Sequence, residues 1–533
     1  MDSSFTRFVD WDRMPDPEQQ AHIPRDILSK PLKELKKLAR EGYWAASRAL
    51  RAQVYHQLIQ QVTCRLVTPD ALVYRDVASR LFGKLSVSSH PLPEFLERCS
   101  MPTYCLNVEG VTALKKILIC IGNLFPDITY SPILPSLVAL LLHYSEDEAQ
   151  CFENISRLIA SNAPHTSYID QSFLAHQASC MTFGDLANKH CPAAHKLIAS
   201  TSENVFEVYS KWLSWLFHDL PFNYAIRIFD VYLLEGQKVL YRIALALLKQ
   251  YKLSVTSAEL EGTDIKADLQ AFVQNIAEHV TVEKLLERAF GIRLFSRKEI
   301  WLLQMANRKA LMEKGITMVQ SRQSFHLAVD MQIFSSSIVT VQEMRIIWSW
   351  IPERFSLFPP LLFICLSGQV NSLCSLPKVC GAFLSSDWSE RKKSGATSGF
   401  FGTGECFVFT VHPETERYEW VFIKKPELAK AIPRSRQRSP SPSPTSLLSS
   451  SPDSRLSPFL AIRHFLLPSK TASMFMSGSQ EGIIIGGGGG QALSLDASLL
   501  WGHTEHCETF DNPPLCQENF KVQLLEVWGF QNT

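Results

Sequence analysis

The stretch from Pro221 to Lys249, PFNYAIRIFDVYLLEGQKVLYRIALALLK, constrains this chain more than any other. Ala225, Ile228, Phe229, Tyr232 and Leu233 recur at helical spacing, which predicts a helix buried along one face. Val239, Leu240, Ile243, Ala244, Leu247 and Leu248 repeat that pattern after a break at Glu235-Gly236. Glycine takes left-handed backbone without a Cβ penalty, so it can end the first helix. Two apolar helices joined by so short a turn are expected to lie antiparallel, at the centre of an all-helical domain.

The surrounding chain extends this reading. Pro31 opens a helix over Leu32 to Arg40, Ser47 to Gln61 reads as a second, and helical periodicity continues to Ala310 with almost no strand-like alternation. After Gly315 the texture changes. Segments such as GFFGTGECFVFTVHP, RYEWVFIKK and KVQLLEVWGF alternate with glycine turns and predict a mostly β sandwich with a few helices. With 533 residues, two domains are expected. The division reads as a weakly ordered lead-in over 1–28, a helical domain over 29–315, a linker over 316–335 and a β domain over 336–533. Within the last, Pro433 to Leu456 is a Ser/Pro tract too poor in apolar residues to order itself.

Composition narrows the classes of function. A net charge of +1 argues against nucleic-acid binding through a broadly basic surface, so any anion site must be local. Thirteen scattered cysteines without a CxxC pair point to reduced thiols in the cytosol. The N-terminus shows no signal-peptide pattern, and the longest apolar runs are too short to span a bilayer, so any membrane contact is expected to be peripheral.

The residues of the central stretch resemble a known fold. Arg227-Ile228-Phe229-Asp230, Leu234-Glu235-Gly236 and Val239 through Ala246 are similar to the signature helices of TBC domains, the Rab GTPase-activating fold. Val379-Cys380-Gly381-Ala382-Phe383, Phe401 through Phe407, Gly486 to Gly490 and Cys507 through Asn512 resemble a TLDc domain. Glu526-Val527-Trp528-Gly529-Phe530 continues that likeness. The order of the two domains resembles a single family of TBC–TLDc proteins. The fold class implied is an all-α TBC domain followed by a mostly β TLDc sandwich. Leu361 to Lys378 departs from the family, being too short to supply the expected opening strands.

The resemblance implies GTPase activation through an arginine and a glutamine, the arginine alone supplying roughly 10³- to 10⁵-fold in rate. This chain departs at both places. The Ile-x-x-Asp-x-x-Arg motif is met by Leu58 to Arg65, where Gln61 replaces the Asp and Cys64 the Arg. A register shifted by one leaves Arg65 in the Arg place and Val62 in that of the Asp. Tyr-x-Gln is met by Tyr104-Cys105-Leu106, and leucine offers no hydrogen bond. Dual-finger catalysis is therefore not expected, although a GAP using Arg65 is the alternative reading. Gly486 to Gly490 lacks the Lys-Ser/Thr of a P-loop and reads as a turn. Ser145 and Glu148 read as a capping box. His503, His506 and Cys507 lack a fourth ligand, so no metal and no cofactor is expected.

Lys36 and Arg40, Lys238 and Arg242, and Arg293 and Arg297 each stand four apart, so each pair shares a helix face. Taken alone, such pairs are ordinary solvated faces. The family resemblance implies more, because its members carry a cationic pocket for phosphoinositide headgroups whose positions are matched by Lys36, Arg40, Lys238, Arg242 and Arg293, with Arg297 adjacent. Its further implications are peripheral recruitment to plasma-membrane and vesicle surfaces, a role in synaptic vesicle traffic and neurite development, and a Rab- or Arf-class GTPase partner. An oxidative-stress role of the TLDc domain is a third reading.

Overall fold

Gly236 is the single residue between two helices, Phe222–Glu235 and Gln237–Ser254, at φ 66° and ψ −156°. A side chain with a Cβ would be strained in that backbone region. The two helices pack against each other and are almost wholly buried. The computed structural model describes residues 7–14, 29–45, 47–64, 68–83, 86–96, 101–162, 167–255, 264–293, 295–315, 336–356, 364–369, 378–388, 399–412, 414–425 and 473–527. The chain divides into two compact units, Met1–Ala328 and Val329–Thr533. The Ser/Pro tract and the linker read from the sequence lie outside the described residues.

The first unit is helical, with one core running from Phe8 to Ile300. Its described residues include isolated bridges, among them Val9 with Leu106 and Cys64 with Ser161. That first bridge corrects the reading of the lead-in. Phe8 is fully buried, Asp10 N–H donates to the Cys105 carbonyl, and Asn107 N–H donates to the Phe8 carbonyl. Two apolar residues in a polar segment are enough to dock it, which periodicity cannot detect. The helix Glu148–Ile159 carries a second correction. Its cap is Asp147, accepting from Gln150 N–H, while the Ser145 hydroxyl donates to the Leu141 carbonyl. Glu148 instead accepts from the Tyr74 hydroxyl and pairs with Lys116.

One buried carboxylate ties the early and late helices together. Asp230, fully buried, accepts from Arg51 Nε and Nη2 at 3.0 Å each, from Arg227 Nη1 at 2.9 Å, from the Tyr55 hydroxyl at 2.7 Å and from Trp44 Nε1 at 3.1 Å. Arg227 also donates to the carbonyls of Ala39 and Arg40, capping the end of the helix Leu32–Glu41. There Gly42 sits at φ 76°, and a Cβ on it would come within 2.8 Å of the Arg227 guanidinium.

The described residues of the second unit form a nine-stranded antiparallel sheet. Its strands are β1 (Ile364–Gln369), β2 (Lys378–Phe383), β3 (Phe407–His412), β4 (Glu416–Glu419), β5 (Met476–Gly478), β6 (Gly482–Ile485), β7 (Leu493–Asp496), β8 (Trp501–His503) and β9 (Asn519–Glu526). They run in the order β4-β3-β2-β1-β9-β8-β7-β6-β5. Side chains alternate across β2 and β3. Val379, Phe383, Phe407 and Phe409 pack on the helix Val341–Trp350, whereas Cys380, Ala382 and Val408 share a core with Leu493, Leu495 and Phe520. The far half of the sheet thus folds back over the near half as a sandwich. The segment read as too short for a core strand supplies β1, paired with β2 on one side and β9 on the other. Backbone pairing, which any sequence can make, places it there.

Burial alone would raise the Asp230 carboxyl, but Arg51 and Arg227 hold it below the usual carboxylate range. A carboxyl depressed on folding contributes stability that is present above its unfolded pKa, near 3.9, and lost as pH falls through the folded value. Asp230→Ala strands two buried guanidinium groups and is expected to cost about 3–5 kcal/mol. Denaturant melts of the helical unit's transition check this, and an unchanged midpoint would contradict the role given to Asp230.

Candidate functional site

The Leu32–Glu41 helix buries Leu35 and Ala39, and Arg227 fixes its C-terminal end, so Lys36 and Arg40 come from a rigid element beside the Phe222–Glu235 helix. Arg40 meets Glu235 there. Its Nε donates to Glu235 Oε1 at 3.1 Å, Nη2 also donates to that oxygen, and the guanidinium lies 3.8 Å from the Phe290 ring centroid. Arg297, at the start of the helix Arg297–Glu313, donates from Nη2 to the Glu235 carbonyl at 3.2 Å. The Glu235 side chain is almost completely enclosed while accepting from a half-exposed Arg40.

Lys238 and Arg242 enter from the Gln237–Ser254 helix. Arg242 is not the exposed cation that its spacing suggests. It is buried, and Nη1 donates to the Ala289 and Ile292 carbonyls at 2.9 Å each, at the end of the helix Val282–Phe290. Its guanidinium lies 4.7 Å from the Phe295 ring centroid and 5.4 Å from that of Phe290. A cation suits the carbonyl end of a helix and the faces of two rings. Arg242 therefore positions the site as much as it charges it.

Electrostatic coupling shows which of the six predicted cations gather. Burial pushes Lys238 down to about 8, with Arg242, Arg297 and Lys36 adding to the effect and Glu235 opposing it. Lys36 is lowered by burial, opposed by Glu235, and lowered further by Arg297 and Arg40. Arg242 is lowered by burial, opposed by Glu235, with Arg40 lowering it further. Lys36, Arg40, Lys238 and Arg242 thus lie within electrostatic reach of the Glu235 carboxylate, and Arg297 bonds the carbonyl of the same residue. Arg293 is exposed next to Ile292, and no described contact joins it to the others. Several half-buried cations near a single acid make a candidate anion site, since forked guanidinium groups and a mobile ammonium suit phosphate oxygens.

Sequence reasoning missed Glu235 as part of the site. Its signal was available, because an acid at the C-terminal end of a helix opposes the helix dipole unless cations stand nearby.

The finger positions are occupied differently. Leu106 is 3% exposed, bridged to Val9 and packed in the core. The Cys64 thiol donates to the Val62 and Arg157 carbonyls, and Arg65 lies outside the described residues. In the second unit, His503 bonds Asn519, His506 bonds Asp511, and the Cys507 thiol donates to Asn512.

The family model for the Rab-GTPase-TBC domain matches residues 88–255, and that for the TLDc domain matches 450–531. "TBC1 domain family member 24" of Xenopus laevis is 55% identical over 549 residues, covering 100% of this chain and 98% of its own. "GTPase-activating protein skywalker" of Drosophila melanogaster is 27% identical, covering 93% of this chain and 87% of its own. A crystal structure of the TBC domain of Skywalker/TBC1D24 from Drosophila melanogaster in complex with inositol(1,4,5)triphosphate overlaps with a TM-score of 0.46 at 28% identity. It covers 52% of this chain and 97% of that one.

Lys238 is a base whose folded pKa lies below its unfolded value. The unfolded chain holds the proton more tightly, so its charge destabilises the fold fully below about pH 8, and the penalty fades as pH rises towards 10.5. Lys238→Met is expected to stabilise the protein at pH 7 by on the order of 1 kcal/mol, after allowing for solvent screening of a half-exposed group. The gain should shrink by pH 10, as paired thermal melts at the two pH values would show.

Proposed function

Because the chain belongs to the family of TBC1 domain family member 24, with a Rab-GTPase-TBC domain and a TLDc domain, we propose that it is a phosphoinositide-binding regulator of vesicle traffic. In this reading it is recruited peripherally to plasma-membrane and vesicle surfaces, and it engages Rab- or Arf-class GTPases without dual-finger catalysis. The observation that carries the proposal is the gathering of Lys36, Arg40, Lys238, Arg242 and Arg297 around Glu235. A multiply phosphorylated headgroup would relieve repulsion among cations that burial has already raised in energy. Arg40 and Arg297 would exchange part of their bonding to Glu235 for phosphate oxygens. The described residues contain no helix long and apolar enough to cross a membrane, and lipid binding through a headgroup needs none.

The absence of catalysis is supported by position 106. A glutamine finger must reach a nucleotide on the partner, whereas this side chain lies under the Phe8-Val9 strap. The synaptic and neuronal setting rests on the family alone.

Two measurements test the proposal. Lys36→Glu, alone and with Arg40→Glu, is expected to weaken flotation with vesicles containing a bisphosphorylated phosphoinositide, by roughly 10-fold or more for the single charge reversal. Unchanged flotation would exclude the site. Single-turnover GTP hydrolysis by a panel of Rab and Arf GTPases is expected to show no acceleration, and Leu106→Gln no rescue. An acceleration abolished by Arg65→Ala would establish the GAP reading instead.

A further inference from the structure

The hairpin of β7 and β8 presents three large apolar side chains in succession. Leu499 is 39% exposed, Leu500 52% and Trp501 58%. Single exposed apolar residues are ordinary on a folded surface, whereas a run of them calls for an explanation. Leu499 also stands at φ 57°, a left-handed backbone that a bulky aliphatic residue rarely adopts. Glycine would hold this turn without strain. The chain thus carries a large apolar side chain where its own backbone preference opposes one.

Asp496 makes the turn rigid. Its Oδ1 accepts from Leu500 N–H at 3.0 Å and from Trp501 N–H at 3.1 Å, and its carbonyl accepts from Leu499 N–H. The Ser498 hydroxyl donates to its Oδ2 at 2.6 Å. From β9, Val522 N–H donates to the Leu500 carbonyl. The N–H groups of all three apolar residues and the Leu500 carbonyl therefore have partners within the protein. Such a turn can leave water without stranding these groups, and it has little freedom to lose on contact.

These features restrict the occupant. From their exposures the three side chains offer on the order of 300 Å², against about 800 Å² per partner in a standard protein interface. A second copy or another protein gains too little from so small a surface. A hairpin end is also convex, which suits a partner that needs no matching pocket, and the fluid interior of a bilayer is such a partner. The order of residues fits a gradient of depth. Leu499 and Leu500 lie in the turn, Trp501 is the first residue of β8, and the exposed Lys521 stands opposite it on β9. Aliphatic side chains favour the acyl region, tryptophan the interface and lysine the headgroup phosphates.

We propose that the β7–β8 turn is a membrane-insertion element: Leu499 and Leu500 enter the acyl region of a phospholipid bilayer, with Trp501 at the interface and Lys521 among the headgroups. This goes beyond the preceding reading, because it engages the hydrocarbon of a fluid bilayer and not a phosphorylated headgroup. Asp496 and Lys521 offset each other in charge, so salt is expected to weaken this contact little, unlike one made by a cluster of cations.

Flotation of the full-length protein with phosphatidylcholine vesicles free of phosphoinositide tests this, using acyl chains brominated near the headgroup to quench tryptophan on contact. Wild type is expected to float and to lose part of its tryptophan emission. Leu499→Ser/Leu500→Ser is expected to bind roughly tenfold less, and Trp501→Phe to float nearly as well as wild type but without the quenching. Melting curves identify a variant that fails to fold, and Trp501→Phe decides the matter if the leucine variant does. Wild type without quenching, or quenching and flotation unchanged in both variants, overturns the proposal. A leucine variant that sediments as a smaller species, with vesicle binding unchanged, assigns the tip to a protein interface and overturns it as well. Normal flotation of Lys36→Glu on phosphoinositide vesicles bears on the cation cluster alone, so the two readings fall separately.

Discussion

Asp230 is where the helical unit is fastened. Its two oxygens receive groups from Trp44, Arg51, Tyr55 and Arg227, all of them buried. A buried carboxylate is tolerable only with this degree of satisfaction, because the desolvation of one ion is offset by its partners or by nothing. The consequence reaches the site through Arg227. The same guanidinium that answers Asp230 also caps the helix of Lys36 and Arg40. The position of two surface cations thus depends on an ion pair in the core, at the helix that ends in Glu235.

The cation cluster is built against its own stability. Lys36, Lys238 and Arg242 are each driven towards the neutral form, first by burial and then by one another. Glu235 limits the cost without cancelling it, since one carboxylate answers five cations. Groups held at such expense cluster where a ligand completes the balance. Arg242 shows that two tasks can fall to one residue. Its bonds to Ala289 and Ile292 close the Val282–Phe290 helix and set Phe290 against Arg40, so removing it would alter the shape of the site as well as its charge.

Local rules carried the reading of the sequence as far as local physics reaches. The helix pair around Gly236, the change from helices to strands after Gly315 and the shared face of Lys36 and Arg40 all follow from periodicity and from the conformational freedom of glycine. Contacts between distant segments were not legible. Phe8 and Val9 dock through a two-residue bridge that has no period. Ile364–Gln369 becomes a central strand by backbone pairing, which its short and atypical sequence did not signal. The cap at Asp147 lay two residues beyond the one expected, because Ser145 turned its hydroxyl back to Leu141. Within the site, spacing could pair cations along one helix but could not say that Arg242 is buried.

The same tertiary contacts bear on catalysis. A residue that acts on a partner's nucleotide must stand outside its own core, and position 106 does not. The bridge to Val9 and the bond from Asp10 to Cys105 lay the N-terminal strap along this segment, and Tyr104 anchors it from the other side through the Phe217 carbonyl. Leucine is the residue type that such a covered place favours, because a buried amide would need partners for up to four hydrogen bonds. The leucine at position 106 and the docking of the strap are therefore mutually consistent, because the apolar side chain gains burial only where it is covered. On the described helical unit the charged side stays open as well, with Lys36, Arg40, Lys238 and Arg297 half-exposed near a carboxylate that cannot satisfy them all.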